Sequence, residues 1–134
     1  MEDIFAMLFR YSIRNTIAIA AVLLCQALAP GTEAGEADVV KARMTATGDR
    51  VYRIDVTVLH TDKGWDHYAD GWRVLDMEGN ELGLRVLFHP HENEQPFTRS
   101  LDDVKIPSGT RQVQVQARDL PEGWNPGTTV IDLP

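Results

Sequence analysis

The sequence holds a single cysteine, Cys25, so no disulfide can close within the chain and no thiolate cluster can hold a metal. Basic residues are scarce as well: 13 Lys and Arg stand against 20 Asp and Glu, for a net charge of −7. Nucleic-acid recognition starts from a basic patch, which leaves nucleic acid a poor partner here. The acidity acts mostly as a solubility device. The apolar run Ile17–Leu24 stops short of the about 20 residues a membrane-spanning helix needs. No glycine loop of phosphate-cradling pattern occurs, and Thr98, Ser100 and Ser108 lack the elbow setting of an activated nucleophile. A glycosidase-like use of Glu92 and Glu94 would need a longer cleft than about a hundred residues offer. The expectation is a protein that is not an enzyme.

What is present begins with an address. Arg10 and Arg14 precede Ile17–Leu24, and small residues follow, the order of a secretory signal peptide. Residues 1–34 read as that signal, with cleavage between 29 and 37: Pro30 disfavours a cut after Ala29, Ala34 suits it better, and Ala37 is the alternative. Glu2 and Asp3 sit oddly beside a positive region, which suggests Met7 as the natural start. Retention of the segment as an anchor is the rival reading. Leu24 precedes Cys25 where a lipidation signal has Gly, Ala or Ser, so Cys25 is expected to leave with the signal and no lipid to be added. Residues 1–34 carry two basic and three acidic groups, so −6 of the −7 falls on residues 35–134, read as one domain. Without disulfides, that domain must hold together by its core. The expected address is periplasmic or secreted, with no stable membrane span after processing.

In residues 35–134 the hydrophobic period is two. Tyr52, Ile54, Val56 and Val58 alternate with Arg53, Asp55 and Thr57, and Val113, Val115 and Ala117 alternate with glutamines. Such alternation reads as strands with one wet face. Weaker runs cover 39–46, 71–76, 82–88, 97–106 and 128–133, separated by "TGDR", "EGN", "PSG" and "PEGWNPG". About seven short strands in about a hundred residues predict an all-β, antiparallel two-sheet sandwich.

Trp72, on the third strand, matches the buried tryptophan of immunoglobulin-like sandwiches, here without a cysteine pair. The terminal stretch "IPSGTRQVQVQARDLPEGWNPGTTVIDLP" resembles the closing hairpin of fibronectin type III domains, which implies an immunoglobulin-like or fibronectin III-like topology. The segments "HTDKGWDHYADGWRV" and "LFHPHENEQPFTRSL" resemble a pattern in small, exported, uncharacterised bacterial proteins, over roughly residues 56–133. That resemblance implies export and fold, and no activity.

The chain has four histidines in two clusters, His60 and His67 in "HTDKGWDH", and His89 and His91 in "HPHENEQPF". In the expected topology the loops after the second, fourth and sixth strands share one pole. His60, Asp62, Asp66 and His67 belong to the first, His89, His91, Glu92 and Glu94 to the second, and Asp119, Glu122 and Trp124 to the third. Side chains two apart on an extended segment point the same way, and Pro90 stiffens the His89–His91 pair. His60 continues the phase of Val58, which puts it at the rim of the core, where an imidazole needs a partner such as Asp62 or Asp66. A His-x-His pair in a polar loop is ordinarily solvated surface, and Trp65, Tyr68, Trp72 and Phe97 are ordinarily core or loop plugs. Convergence of the loops favours a divalent transition metal, Cu or Zn, held by His60, His67, His89, His91, Asp66 and Glu92. The alternative is a structural or protein-interaction module of the cell envelope with no metal.

Overall fold

The computed structural model describes residues 36–134; residues 1–34, with Cys25 and the expected cleavage after Ala34, lie outside the described residues, whereas the alternative cleavage residue, Ala37, is described and buried in the core. Eight strands follow one another: β1 (Asp38–Gly48), β2 (Val51–Leu59), β3 (Ala69–Leu75), β4 (Glu81–Val86), β5 (Phe97–Lys105), β6 (Gln112–Asp119), β7 (Gly123–Trp124) and β8 (Thr129–Asp132). No helix occurs among the described residues, and none there is long and apolar enough to cross a membrane. The expected seven strands are all present. The eighth, β7, is two residues of the "PEGWNPG" segment that pair back onto β6.

The strands form two antiparallel sheets, β1-β2-β5 and β4-β3-β6-β7, with β8 also pairing β6. Alternation dictates which side of each faces in. On β2, Ile54, Val56 and Val58 are fully buried while Arg53 is exposed. On β3, Trp72 and Val74 are buried beside the half-buried Arg73, and on β6 Val113, Val115 and Ala117 are buried. These residues form one apolar cluster with Phe97, Leu87, Val104 and Ile106. Each such side chain removed from water contributes about 1.5–3 kcal/mol, which replaces the missing disulfides. Trp72 and Phe97 are core, as their pattern implied. Trp65 is not, since it is 65% exposed; its loop lies beyond the alternating strands, so no sheet face covers it.

Strand β7 also closes the outer face. Trp124 lies under Arg73 at 4.0 Å and Arg118 at 4.8 Å, and Arg118 donates to Asp70 at 3.0 Å. This stacking pins the segment after β6, which carries part of the site, to the body of the sheet.

Candidate metal centre

Two inward-facing stripes end in polar residues at the same pole. On β2 the stripe Ile54, Val56, Val58 runs on to His60, just past the strand, and on β6 the stripe Val113, Val115, Ala117 ends at Asp119. Strand β3 lies between them in sequence, and its first residue, Ala69, is in register with Asp119. Both polar side chains are buried, with 1% side-chain exposure each. They meet: His60 Nε2 is 3.1 Å from Asp119 Oδ2.

His60 is held from behind. Its Nδ1 is 2.6 Å from Asp62 Oδ1. The Asp62 carboxylate has no exposed side-chain surface and also accepts from the backbone N–H of Ala69 at 3.0 Å and of His91 at 2.6 Å. Gln95 completes the frame: its Oε1 accepts from the His60 backbone N–H and its Nε2 donates to the His91 carbonyl, both at 3.0 Å. Asp62 and Gln95 thus tie the segment 60–68 to the segment 87–96.

His67 comes from the other side of the first loop. Its ring meets that of His60 edge-on at 4.8 Å, and its Nε2 is 3.7 Å from Asp119 Oδ2 and 3.9 Å from Glu122 Oε2. Neither His67 Nε2 nor Asp119 Oδ1 has a hydrogen-bond donor or acceptor to complete it. Buried polar atoms are nearly always paired, so two orphans in one spot mark a place with unused ligand capacity. Burial pushes the Asp119 carboxyl up to about 6; the adjoining Glu122 carboxyl adds to the rise and His60 opposes it. Glu122 is shifted the other way, chiefly because Asp119 supplies it a hydrogen bond.

One ligand atom each from His60, His67 and Asp119 lies within 4.8 Å of the others. Zinc binds imidazole nitrogen and carboxylate oxygen at about 2.0–2.2 Å, so its tetrahedral ligands stand about 3.3 Å apart. The separations of 3.1 and 3.7 Å around Asp119 Oδ2 bracket that spacing. Asp62 on the far nitrogen of His60 supplies the carboxylate–histidine pairing that orients metal-bound imidazoles.

The remaining residues named from the sequence are placed elsewhere. His91 is buried, its ring stacks on Phe97 at 3.9 Å, and its Nε2 faces an Arg99 nitrogen at 2.9 Å. Burial holds the His91 imidazole below its usual range, and Arg99 and His89 reinforce the effect. The exposed His89 lies beside it with ring centres 4.5 Å apart, its Nδ1 against the Pro90 carbonyl at 3.1 Å. Glu92 Oε1 accepts from the Gly64 backbone N–H at 2.5 Å, and Asp66 is exposed. The structure therefore joins His60 and His67 with Asp119 and does not bring His89, His91, Asp66 or Glu92 into that group. Of the two partners expected for His60, Asp62 takes the place and Asp66 does not. Asp119 had a signal of its own, because it continues the inward phase of Val113, Val115 and Ala117 as His60 continues that of Val58. Glu122 has no such signal; the turn after β6 alone brings it near.

No family model matches the chain, and no solved structure does. A protein of Halomicrobium mukohataei described as "Putative lipoprotein" is 39% identical over 97 residues, 72% of this chain and 47% of that protein. The chain thus spans about half the length of the curated relative it matches.

Proposed function

We propose that this chain is an exported, envelope-associated binding module of immunoglobulin-like or fibronectin III-like topology, carrying a divalent transition metal at one pole. His60, His67 and Asp119 are its ligands, with Glu122 within reach as a fourth. Copper(II) or zinc suits two imidazoles and carboxylates, and Cu²⁺ stands highest in the affinity order. The observation that carries the reading is the convergence of two imidazoles and a buried carboxylate with two unpaired polar atoms among them. Export is supported by the signal-like residues 1–34 and by the description of the relative as a lipoprotein. The fold type is supported by the strand order, β1-β2-β5 in one sheet and β4-β3-β6 with β7 and β8 in the other. The role is binding, with no nucleic-acid partner.

A second reading has one observation in its favour: both ring nitrogens of His60 already face carboxylates, as they would in a structural network of an interaction module without metal.

Thermal unfolding separates the two. A metal that binds the native state alone stabilises it by about 2.7 kcal/mol at a hundred times its dissociation constant. Protein at pH 7.5 should melt higher with zinc or copper, and His67→Ala, at a partly exposed position, should abolish the shift while folding normally. The His89→Ala, His91→Ala double variant should keep it. Absence of any shift in the wild type decides for the structural network, and its loss only in the double variant places the metal on the other histidine pair.

A further inference from the structure

The loop from β2 to β3 leaves Trp65 at 65% exposure, although Tyr68 packs edge-on against it at 5.8 Å and holds the ring in place. Beside it runs a groove of about 410 Å³ lined by Gly64, Trp65, His89, Pro90, Glu92 and Asn93. None of these residues belongs to the metal set, so the groove stands or falls independently of it.

The two walls are built before any ligand arrives. On one side Lys63 N–H donates to the His67 carbonyl at 2.7 Å, and Gly64 N–H donates across the groove to Glu92 Oε1 at 2.5 Å. On the other, Asp62 and Gln95 grip the backbone of His91, and the Pro90 ring fixes its own φ. Binding there orders little new chain, which favours affinity in a shallow site.

The lining also says what would fit. An exposed indole face wants a flat apolar surface against it. Around it stand three planar polar side chains, the His89 imidazole, the Glu92 carboxylate and the Asn93 amide, which between them donate and accept. No Lys or Arg lines the groove, Glu92 is anionic, and the chain carries a net −7, so an anionic ligand has nothing to neutralise it. A cation would find one carboxylate already engaged by Gly64. A ligand with one apolar face and a rim of neutral hydroxyls matches all of these features. We propose that the groove binds a neutral carbohydrate, with one pyranose ring stacked on Trp65 and its hydroxyls hydrogen-bonded by Asn93, Glu92 and His89.

The test titrates the exported chain with maltotriose, cellotriose and triacetylchitotriose, all neutral, while following the indole N–H resonances of its three tryptophans. Because the groove is open and contacts about one ring, a dissociation constant of about 1 mM is expected. At least one sugar should shift the Trp65 signal saturably and leave that of the buried Trp72 in place. Trp65→Ala should abolish binding and Asn93→Ala weaken it by about tenfold, one bidentate hydrogen-bonding group being worth that much. Both positions are exposed, so both variants should fold, which the amide spectrum verifies. The proposal is overturned if no sugar produces a saturable shift up to about ten times that constant, or if Trp65→Ala binds as the wild type does.

Discussion

Replacing Asp119 by asparagine separates what the centre needs from what the fold needs. The carboxylate is 1% exposed, and its pKa stands at about 6 against an ordinary 3.8. Two units at about 1.36 kcal/mol each put about 3 kcal/mol against the ionised form. Asparagine keeps an oxygen for His60 but cannot ionise, and a neutral hydrogen bond in place of a charged one returns about 1 kcal/mol. Metal-free Asp119→Asn should therefore be about 1–2 kcal/mol more stable than the wild type at pH 7.5. The gain must also depend on pH. With the folded pKa above the unfolded one, the native state keeps its proton between about pH 4 and 6, where the unfolded chain has lost it. The wild type is penalised fully above about 6 and not at all below about 4, so near pH 5 the penalty falls to about half and the variant's advantage, the penalty less the about 1 kcal/mol hydrogen-bond loss, shrinks to about 0.5 kcal/mol or less. Urea denaturation at the two pH values measures this directly. A variant less stable than wild type at pH 7.5, or an advantage that does not shrink on acidification, would refute the account of Asp119 as a strained buried carboxylate. Zinc supplies the other arm. The variant should lose the melting shift that the wild type shows, and a retained shift would remove Asp119 from the ligand set.

Metal binding itself should weaken on acidification, because imidazole and Asp119 must shed protons to ligate; zinc titration calorimetry at pH 7.5 and at about pH 5.5, below the Asp119 value, would read it. Trp72→Ala should cost about 3–5 kcal/mol and leave little folded protein, since the ring is fully buried in the apolar cluster. A urea midpoint close to wild type would contradict that. Trp72→Phe should cost less than the ring volume alone implies, because it also removes an indole N–H that has no partner. Intact-mass measurement of protein from the exported fraction should find a chain beginning between Pro30 and Asp38, without lipid. A mass that still includes Cys25 ends that expectation.

The strands were legible because their cause is local. A period of two is set by the pleat, residue by residue, and the runs at 51–60, 71–76 and 112–118 needed no partner to be recognised. His60 was legible for the same reason: it extends the phase of Ile54, Val56 and Val58, and it is buried. Asp119, which the expected topology also places at the pole, extends the phase of β6 in the same way. His89 and His91 misled because spacing two apart says where two side chains point relative to each other, and nothing about what lies opposite. Opposite His91 lie Phe97 and Arg99, which occupy its ring face and its Nε2. Trp65 escaped because aromatic character alone does not bury a residue in a loop that no sheet covers.

By itself the sequence determined an acidic chain with a signal-like start, too few cysteines for a disulfide, and strands whose apolar faces must meet. Those properties follow from composition and from backbone geometry, which act within a few residues. Only the tertiary structure decided which of the polar groups at the pole meet. The antiparallel register sets Asp119 opposite Ala69, next to the loop that carries His60 and His67. The Asp62 carboxylate accepts two backbone N–H groups from different segments and so fixes the face His60 turns to its neighbours. Ligation and stacking depend on distances of a few ångströms between residues about 60 apart in the chain, and those distances exist only once the two sheets have packed.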